Sequence, residues 1–319
     1  MKAVVYVGSG QIDGLHLQEV EEQKPLTGEV QVRLKVAGIN HRDLFLLESK
    51  KEAFFPGSDG AGVVIAVGEG VTNIHVGDEV VLNPSLRWEK ASEVPAVPEI
   101  LDGTFAETIV VPAENVELKP KHLSWEEAGV LPLATLTAYR ALFTRARVKP
   151  GEHVLIPGIG SGVATITLLL AKAAGAYVTV TSRSAEKREQ ALRLGADSAF
   201  DSSGKWDLSR KVDVIIESIG SAIFERYFSV LREGGRIVSF GATTGDRVEI
   251  PLRTFFFQQW SMLSTSMGSR EEFQDLLRFV TQHRLRPIVD RAYKLEEVRQ
   301  AFQRMQAGEQ FGKIAFLIE

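Results

Sequence analysis

Three glycines at alternating positions, Gly158, Gly160 and Gly162, stand where a short apolar run (Val154–Ile156) meets an apolar segment of helix length. A turn with few side chains lets backbone amides approach a phosphate closely, and the dipole of the following helix favours negative charge. A second apolar run, Tyr177–Thr181, comes next. The stretch therefore reads as a β-α-β unit whose turn, through Gly160, Ser161, Gly162 and Val163, suits a pyrophosphate. The third glycine of the usual fingerprint is replaced by Val163 or Ala164, and the same turn also serves as a plain strand-to-helix connection. The residues after the second run bear on the choice. Sites for NAD place Asp or Glu there to accept from the ribose 2′-hydroxyl. This chain has Thr181-Ser182-Arg183-Ser184, with Lys187 one turn on and no carboxylate before Glu186. Two hydroxyls and two cations suit a 2′-phosphate, so NADPH is the expected cofactor. Ser184 can also cap the next helix, which leaves Arg183 free.

Two textures surround this unit. Up to about Pro120, short Val-rich runs alternate with Gly and Pro turns, and Val30, Val32, Leu34 and Val36 repeat with period two, as in half-buried antiparallel strands. Gly62–Val67, Asp78–Leu82 and Thr104–Val111 read as further strands. Ser124-Trp125-Glu126-Glu127 resembles a capped helix start, and Ala128–Phe143 carries a helical apolar pattern. Strands and helices then alternate as a parallel sheet requires: Val212–Glu217, a helix over Ser221–Leu231, a Gly234-Gly235 stop, Arg236–Phe240, and a helix near Arg270–His283. Gly312–Ile318 is a last short strand, expected to return to the first domain.

Composition narrows the function. At 319 residues the chain accommodates two domains, and its 44% apolar and 24% charged content is ordinary for a globular protein. A net charge of -4 gives no reason to expect nucleic acid or an anionic membrane as partner. The absence of cysteine removes disulfides, thiolate metal ligands and a thiol nucleophile. The first residues read as a strand rather than a signal peptide, and the apolar tract Gly162–Val180 is interrupted by Lys172 and Gly175, as helix then strand. A cytoplasmic location is expected.

In order along the chain, Gly38-Ile39-Asn40-His41-Arg42-Asp43, Pro56-Gly57-Ser58-Asp59-Gly60-Ala61-Gly62, Val76-Gly77-Asp78-Glu79-Val80, Leu131–Tyr139, the Gly158–Ala164 turn and Phe311-Gly312-Lys313-Ile314 resemble the medium-chain dehydrogenase/reductase superfamily. Within it, the chain is similar to the quinone oxidoreductase-like and zinc-type alcohol dehydrogenase-like branch. The resemblance implies an α/β fold: a GroES-like β-rich catalytic domain over residues 1–122 with a C-terminal return at 289–319, and a Rossmann domain with a doubly wound parallel sheet over 123–288. It implies hydride transfer in a cleft between them. In zinc-dependent relatives a Cys stands where this chain has Asn40, a His where it has Ser58, and a second Cys or an acidic residue near Leu133. None of these is a competent ligand. The lobe that holds a structural zinc in those relatives falls here between Asn83 and Gly103 and contains neither Cys nor His. The six histidines show no metal-binding spacing. A zinc-free member is expected.

Without a metal, hydrogen-bond donors must stabilise the charge that develops as hydride arrives. By motif position Asn40 is a candidate donor to the acceptor, Ser58 a second, and His41 a proton relay, while Asp59 orients its neighbours. Asn40 could instead cap the helix starting at His41, and His41 could only pack. The resemblance also places Thr137 beside the nicotinamide, Ser218 and Gly220 at a sheet edge where ligands bind, Phe240, Gly241, Ala242 and Thr243 at the next strand end, Ser266 and Met267 over the nicotinamide, and Lys313 at the cofactor. Strand-end turns select the same residue types unaided.

The reading that results is an NADPH-dependent oxidoreductase acting on a small electrophile: a carbonyl, quinone or activated alkene. The alternatives are a regulatory protein that binds NADPH without turnover, and a zinc-type alcohol dehydrogenase. Val248–Met262, rich in aromatics and β-formers, is placed to supply the edge strand through which a homodimer would form.

Overall fold

The computed structural model describes residues 1–319, which divide into two compact units. The first comprises Met1–Ala134 and Ser269–Glu319, the second Thr135–Gly268.

The first unit is built on the long strand Glu29–Gly38. Its alternation is realised from Val32 to Val36, with Val30, Val32, Leu34 and Val36 at most 1% exposed while Arg33 and Lys35 point to solvent; Gln31 is buried as well. Asp59–Val67 pairs along its length, Thr108–Pro112 along its first half, and Lys313–Leu317 along its last residues, all antiparallel. Glu79–Leu82, Val116–Leu118 and Val289–Lys294 complete the seven-stranded sheet. Lys313–Leu317 thus lies in the sheet of the first unit, which sets Lys313 beside the start of the His41–Ser49 helix. Phe105 packs edge-to-face on Phe316 (centroids 4.9 Å apart) and on Phe302, joining the sheet to the Val298–Gln306 helix.

Ser124 caps as its sequence suggests: its hydroxyl accepts from Glu127 N–H and the Glu127 carboxylate accepts from Ser124 N–H. The single helix expected over Ala128–Phe143 is broken, however. Trp125–Gly129 stops, Pro132–Tyr139 restarts, and Arg140–Arg145 winds as a π-helical turn. Pro132 has no N–H to continue the earlier helix.

The second unit carries six parallel strands in the order Ser198–Asp201, Tyr177–Ser182, His153–Ile156, Val212–Glu217, Leu231–Ser239, Ser261–Ser264. In chain sequence that is 3-2-1-4-5-6. Winding reverses between the first and fourth strands, and a crevice at their carboxyl ends is where open parallel sheets bind ligands. Gly234 and Gly235 are not the stop between helix and strand: the helix Phe224–Val230 has already ended, Leu231 pairs Val212 and Arg236 pairs Val214, so the glycines lie in a bulge within one long strand. The edge-strand expectation for Val248–Met262 also needs correction. Leu252–Phe257 is helical, started by Pro251, and the edge strand is Ser261–Ser264. No helix in the chain is long and apolar enough to cross a membrane.

Candidate active site

In the second unit the chain leaves the His153–Ile156 strand through a turn whose positive φ angles favour glycine. Gly158 and Gly160 have φ of +67° and +123°. A Cβ at Gly158 would lie 2.4 Å from Ile219 Cδ1, and one at Gly160 would lie 2.7 Å from Lys187 Cδ. The aliphatic stem of Lys187 thus lies directly against the turn. Ile159 N–H donates to Thr181 O (2.8 Å), tying the turn to the neighbouring strand. Ser161 caps the Gly162–Ala173 helix by accepting from Ala164 N–H (3.2 Å). The first-turn amides, Gly162 and Val163 among them, have no intrahelical acceptor and form an anion-receptive end.

At the end of Tyr177–Ser182, Ser182 is buried and its hydroxyl accepts from Ser184 N–H, while Ser184 caps the Ala185–Arg193 helix through Lys187 N–H. Arg183 is exposed. Arg188, which sequence reasoning passed over, donates to Ser182 O (2.6 Å) and to Asp201 (3.1 Å). It fixes the strand end on which Arg183 rides.

The turn after Val212–Glu217 is organised from beneath. Glu217 is fully buried and accepts from Gly220 N–H and from the Tyr227 hydroxyl, and burial pushes its carboxyl above the usual range. Ser218 O and Ile219 O accept from Thr243 and Thr244, through both backbone and hydroxyl, so the Ser218–Gly220 and Phe240–Thr243 segments form one surface. Gly160–Val163, Ser182–Lys187, Ser218–Gly220 and Phe240–Thr243 all gather at the carboxyl edge of the sheet. Ser266 is exposed and Met267 buried after the edge strand; Thr137 is buried in the Pro132–Tyr139 helix.

In the first unit a second cluster is almost closed to solvent. Asn40 is 5% exposed, and Asp43, Ser58 and Asp59 are 0%. Asp59 is the hub: Oδ1 accepts from Leu133 N–H (2.7 Å), and Oδ2 accepts from Asn40 Nδ2 (2.9 Å) and Lys313 Nζ (2.8 Å). The ammonium also donates to Ile39 O (2.7 Å) and to Asn40 Oδ1. Its three protons are thus taken within this unit. Asp43 Oδ2 accepts from Asn40 N–H, capping the helix backwards, while Asp43 Oδ1 and Ser58 Oγ have no hydrogen-bond partner, Arg42 Nη1 standing 3.9 Å from Asp43 Oδ1. Burial raises the Asp43 carboxyl from 3.8 to about 7; the Asn40 N–H, Arg42 and Lys313 oppose the rise, and Asp59 adds to it. His41 is surface-accessible, yet crowding by its neighbours holds its imidazole below the ordinary pKa against the charge of Glu48.

Comparison with known proteins agrees with both units. Residues 26–121 match the alcohol dehydrogenase GroES-like domain, and residues 162–282 match the zinc-binding dehydrogenase domain. A zinc-type alcohol dehydrogenase-like protein, YogA, of Leptosphaeria maculans is 32% identical, covering 95% of this chain and 94% of that one. The chain belongs to the medium-chain dehydrogenase/reductase superfamily. An acryloyl-coenzyme A reductase of Metallosphaera sedula is 28% identical over 98% of this chain and 99% of that protein. A crystal structure of an NAD-dependent alcohol dehydrogenase superposes with a TM-score of 0.93 at 34% identity, covering both chains completely. With those kin the chain is an oxidoreductase whose GroES-like domain accompanies a Rossmann-type sheet.

A family described as zinc-binding raises the question of a metal. The donor set here does not fit one. Asn40, Ser58 and Leu133 supply a carboxamide, a hydroxyl and an aliphatic chain, and a cation, the Lys313 ammonium, is already bonded to Asn40 and Asp59. No group of three or more His, Cys, Asp or Glu side chains is assembled anywhere in the chain.

Proposed function

We propose that the protein is an NADPH-dependent, zinc-independent oxidoreductase that delivers hydride to a carbonyl, quinone or activated alkene. The observation that carries the cofactor choice is the end of the Tyr177–Ser182 strand. It presents Ser182, exposed Arg183 and Ser184, with Lys187 reaching back to Gly160 and no carboxylate among residues 181–185. A 2′-phosphate is met by two cations there, and no carboxylate stands among these residues to accept from a 2′-hydroxyl. The reduced nicotinamide supplies the hydride when bound. Gly160, Ser161, Gly162 and Val163 would hold its pyrophosphate, and Thr137, Ser218, Gly220, Phe240, Gly241, Ala242, Thr243, Ser266 and Met267 are proposed to line the rest of its site.

Asn40 is the proposed donor to the acceptor's oxygen. One Nδ2 hydrogen is bonded to Asp59, and the second makes no bond within the protein. A preorganised donor in a dry site contributes about 3 kcal/mol to the transition state. Ser58, with its hydroxyl unpartnered, is a second donor, and His41, with its pKa lowered, is the proposed relay for the proton that follows hydride. An activated alkene is supported by kinship with the acryloyl-coenzyme A reductase. The edge strand Ser261–Ser264, with its own Met262 exposed and preceded in the chain by exposed Leu252, Phe256 and Phe257, supports a homodimer. A cytoplasmic location is proposed from the charge and composition.

After dialysis against a strong chelator, NADPH and NADH are titrated by nucleotide fluorescence. Turnover is then followed at saturating nucleotide with 1,4-benzoquinone, 2-cyclohexenone and benzaldehyde. Tighter NADPH binding and oxidation by at least one acceptor are expected. Equal or tighter NADH binding reverses the cofactor choice; zinc-restored turnover reverses metal independence; binding without turnover leaves a nucleotide-binding protein.

A further inference from the structure

We propose that Lys313, together with Asp59, is a positioning residue that dictates which end of the Asn40 carboxamide faces the reacting acceptor. The inference rests on Asn40 being the donor. A carboxamide is nearly symmetric in shape, and nothing steric in a tight site distinguishes its oxygen from its nitrogen. Chemistry distinguishes them here. An ammonium only donates and a carboxylate only accepts. With Lys313 Nζ on one side of Asn40 and Asp59 Oδ2, 2.9 Å from Nδ2, on the other, a single orientation is compatible with both. A flipped amide would set NH2 against the ammonium and the carbonyl oxygen against the carboxylate.

The arrangement is over-determined. Lys313 and Asp59 bond to each other at 2.8 Å, with side chains 5% and 0% exposed, so neither relaxes into water. The same ammonium holds Ile39 O, and Ile39 N–H pairs with Ile314 O at 3.0 Å, so the backbone carrying Asn40 is held on the Lys313 strand. Leu133 N–H anchors the other carboxylate oxygen. With every ammonium proton committed, Lys313 is not the group that protonates the product. It acts through Asn40, leaving one Asn40 N–H to be offered in a fixed direction.

The test is a cycle between Asn40→Ala and the charge-neutral pair Lys313→Met/Asp59→Asn, in the full-length protein. It is assayed with NADPH and whichever of 1,4-benzoquinone, 2-cyclohexenone and benzaldehyde turns over fastest. Asn40→Ala is expected to lower kcat about 100-fold. The paired variant should lower kcat at least tenfold with NADPH affinity changed less than twofold, and should lower it no further in the Asn40→Ala background. Independent, multiplying losses in the two backgrounds mean a merely structural role and overturn the inference while Asn40 stands as donor. An Asn40→Ala enzyme with normal kcat removes the donor reading itself. Should the paired variant not fold, Lys313→Arg, which preserves donor-only character, is expected to retain at least a third of kcat. A tenfold loss in a folded Lys313→Arg protein with intact NADPH affinity overturns the inference too.

Discussion

Replacing Asp43 with Asn changes how stability responds to pH, and the sign follows from the direction of the shift. In the folded chain the carboxyl titrates at about 7 instead of 3.8, because burial without a hydrogen bond to Oδ1 penalises the charged form more than Asn40 N–H, Arg42 and Lys313 favour it. Below the unfolded value both states are protonated. Between the two values the folded state keeps a proton that the unfolded chain has released. Unfolding free energy therefore falls as pH rises through this window and levels off above it. At 1.36 kcal/mol per unit, a rise of roughly three units amounts to about 4 kcal/mol as an upper value. The assay is urea unfolding of wild type and Asp43→Asn at several pH values between about 4.5 and 7.5, followed by a probe in the first unit. Taking the difference between the two proteins cancels the other titrating groups. The wild type should lose ground to the variant steadily as pH rises, by about 1 to 4 kcal/mol across the range. A difference flat to within about 0.5 kcal/mol would refute the reasoning, because the proton would then not reside on this carboxyl.

Three other outcomes are expected. Arg183→Ala and Lys187→Ala should each weaken NADPH binding by about tenfold or more while leaving NADH binding little changed, as fluorescence titration would show. Gly160→Ala forces φ of +123° on a residue with a Cβ and drives that atom into Lys187 Cδ. It should cost about 1–3 kcal/mol of stability in thermal melts and most of the dinucleotide affinity in titration. Phe257→Glu, at a residue 72% exposed beside the sheet edge, should leave the fold intact by circular dichroism and halve the mass seen by light scattering.

Local pattern carried much of this molecule. The period-two run from Val30 to Val36, the capping box at Ser124 and the glycine turn after Ile156 are each decided by residues within a few positions, and each forms as its sequence suggests. The errors came where local preference met a competing constraint. Thr254-Phe255-Phe256-Phe257 are β-formers by type, but the chain is helical there, with Phe256 and Phe257 largely in solvent and the pairing edge passed on to Ser261–Ser264. Pro132 cut a helix whose apolar pattern alone ran on. The partners of Asn40 were out of reach of any window: Lys313 lies 273 residues away and Asp59 nineteen. Asp43 gives no sign in the sequence that it will be sealed from water.

Threading Lys313–Leu317 back beside Glu29–Gly38 has a kinetic side. The Thr135–Gly268 unit is contiguous, so every contact within it can form once that stretch has left the ribosome, whereas the other unit waits for Ser269–Glu319. Until that strand is delivered, Asp59 lacks the Lys313 ammonium and Glu29–Gly38 has a bare edge at Val36–Gly38. Newly made chains should therefore lean on a chaperone at this step, and clipping the last few residues should harm assembly far more than an equal cut in a surface loop.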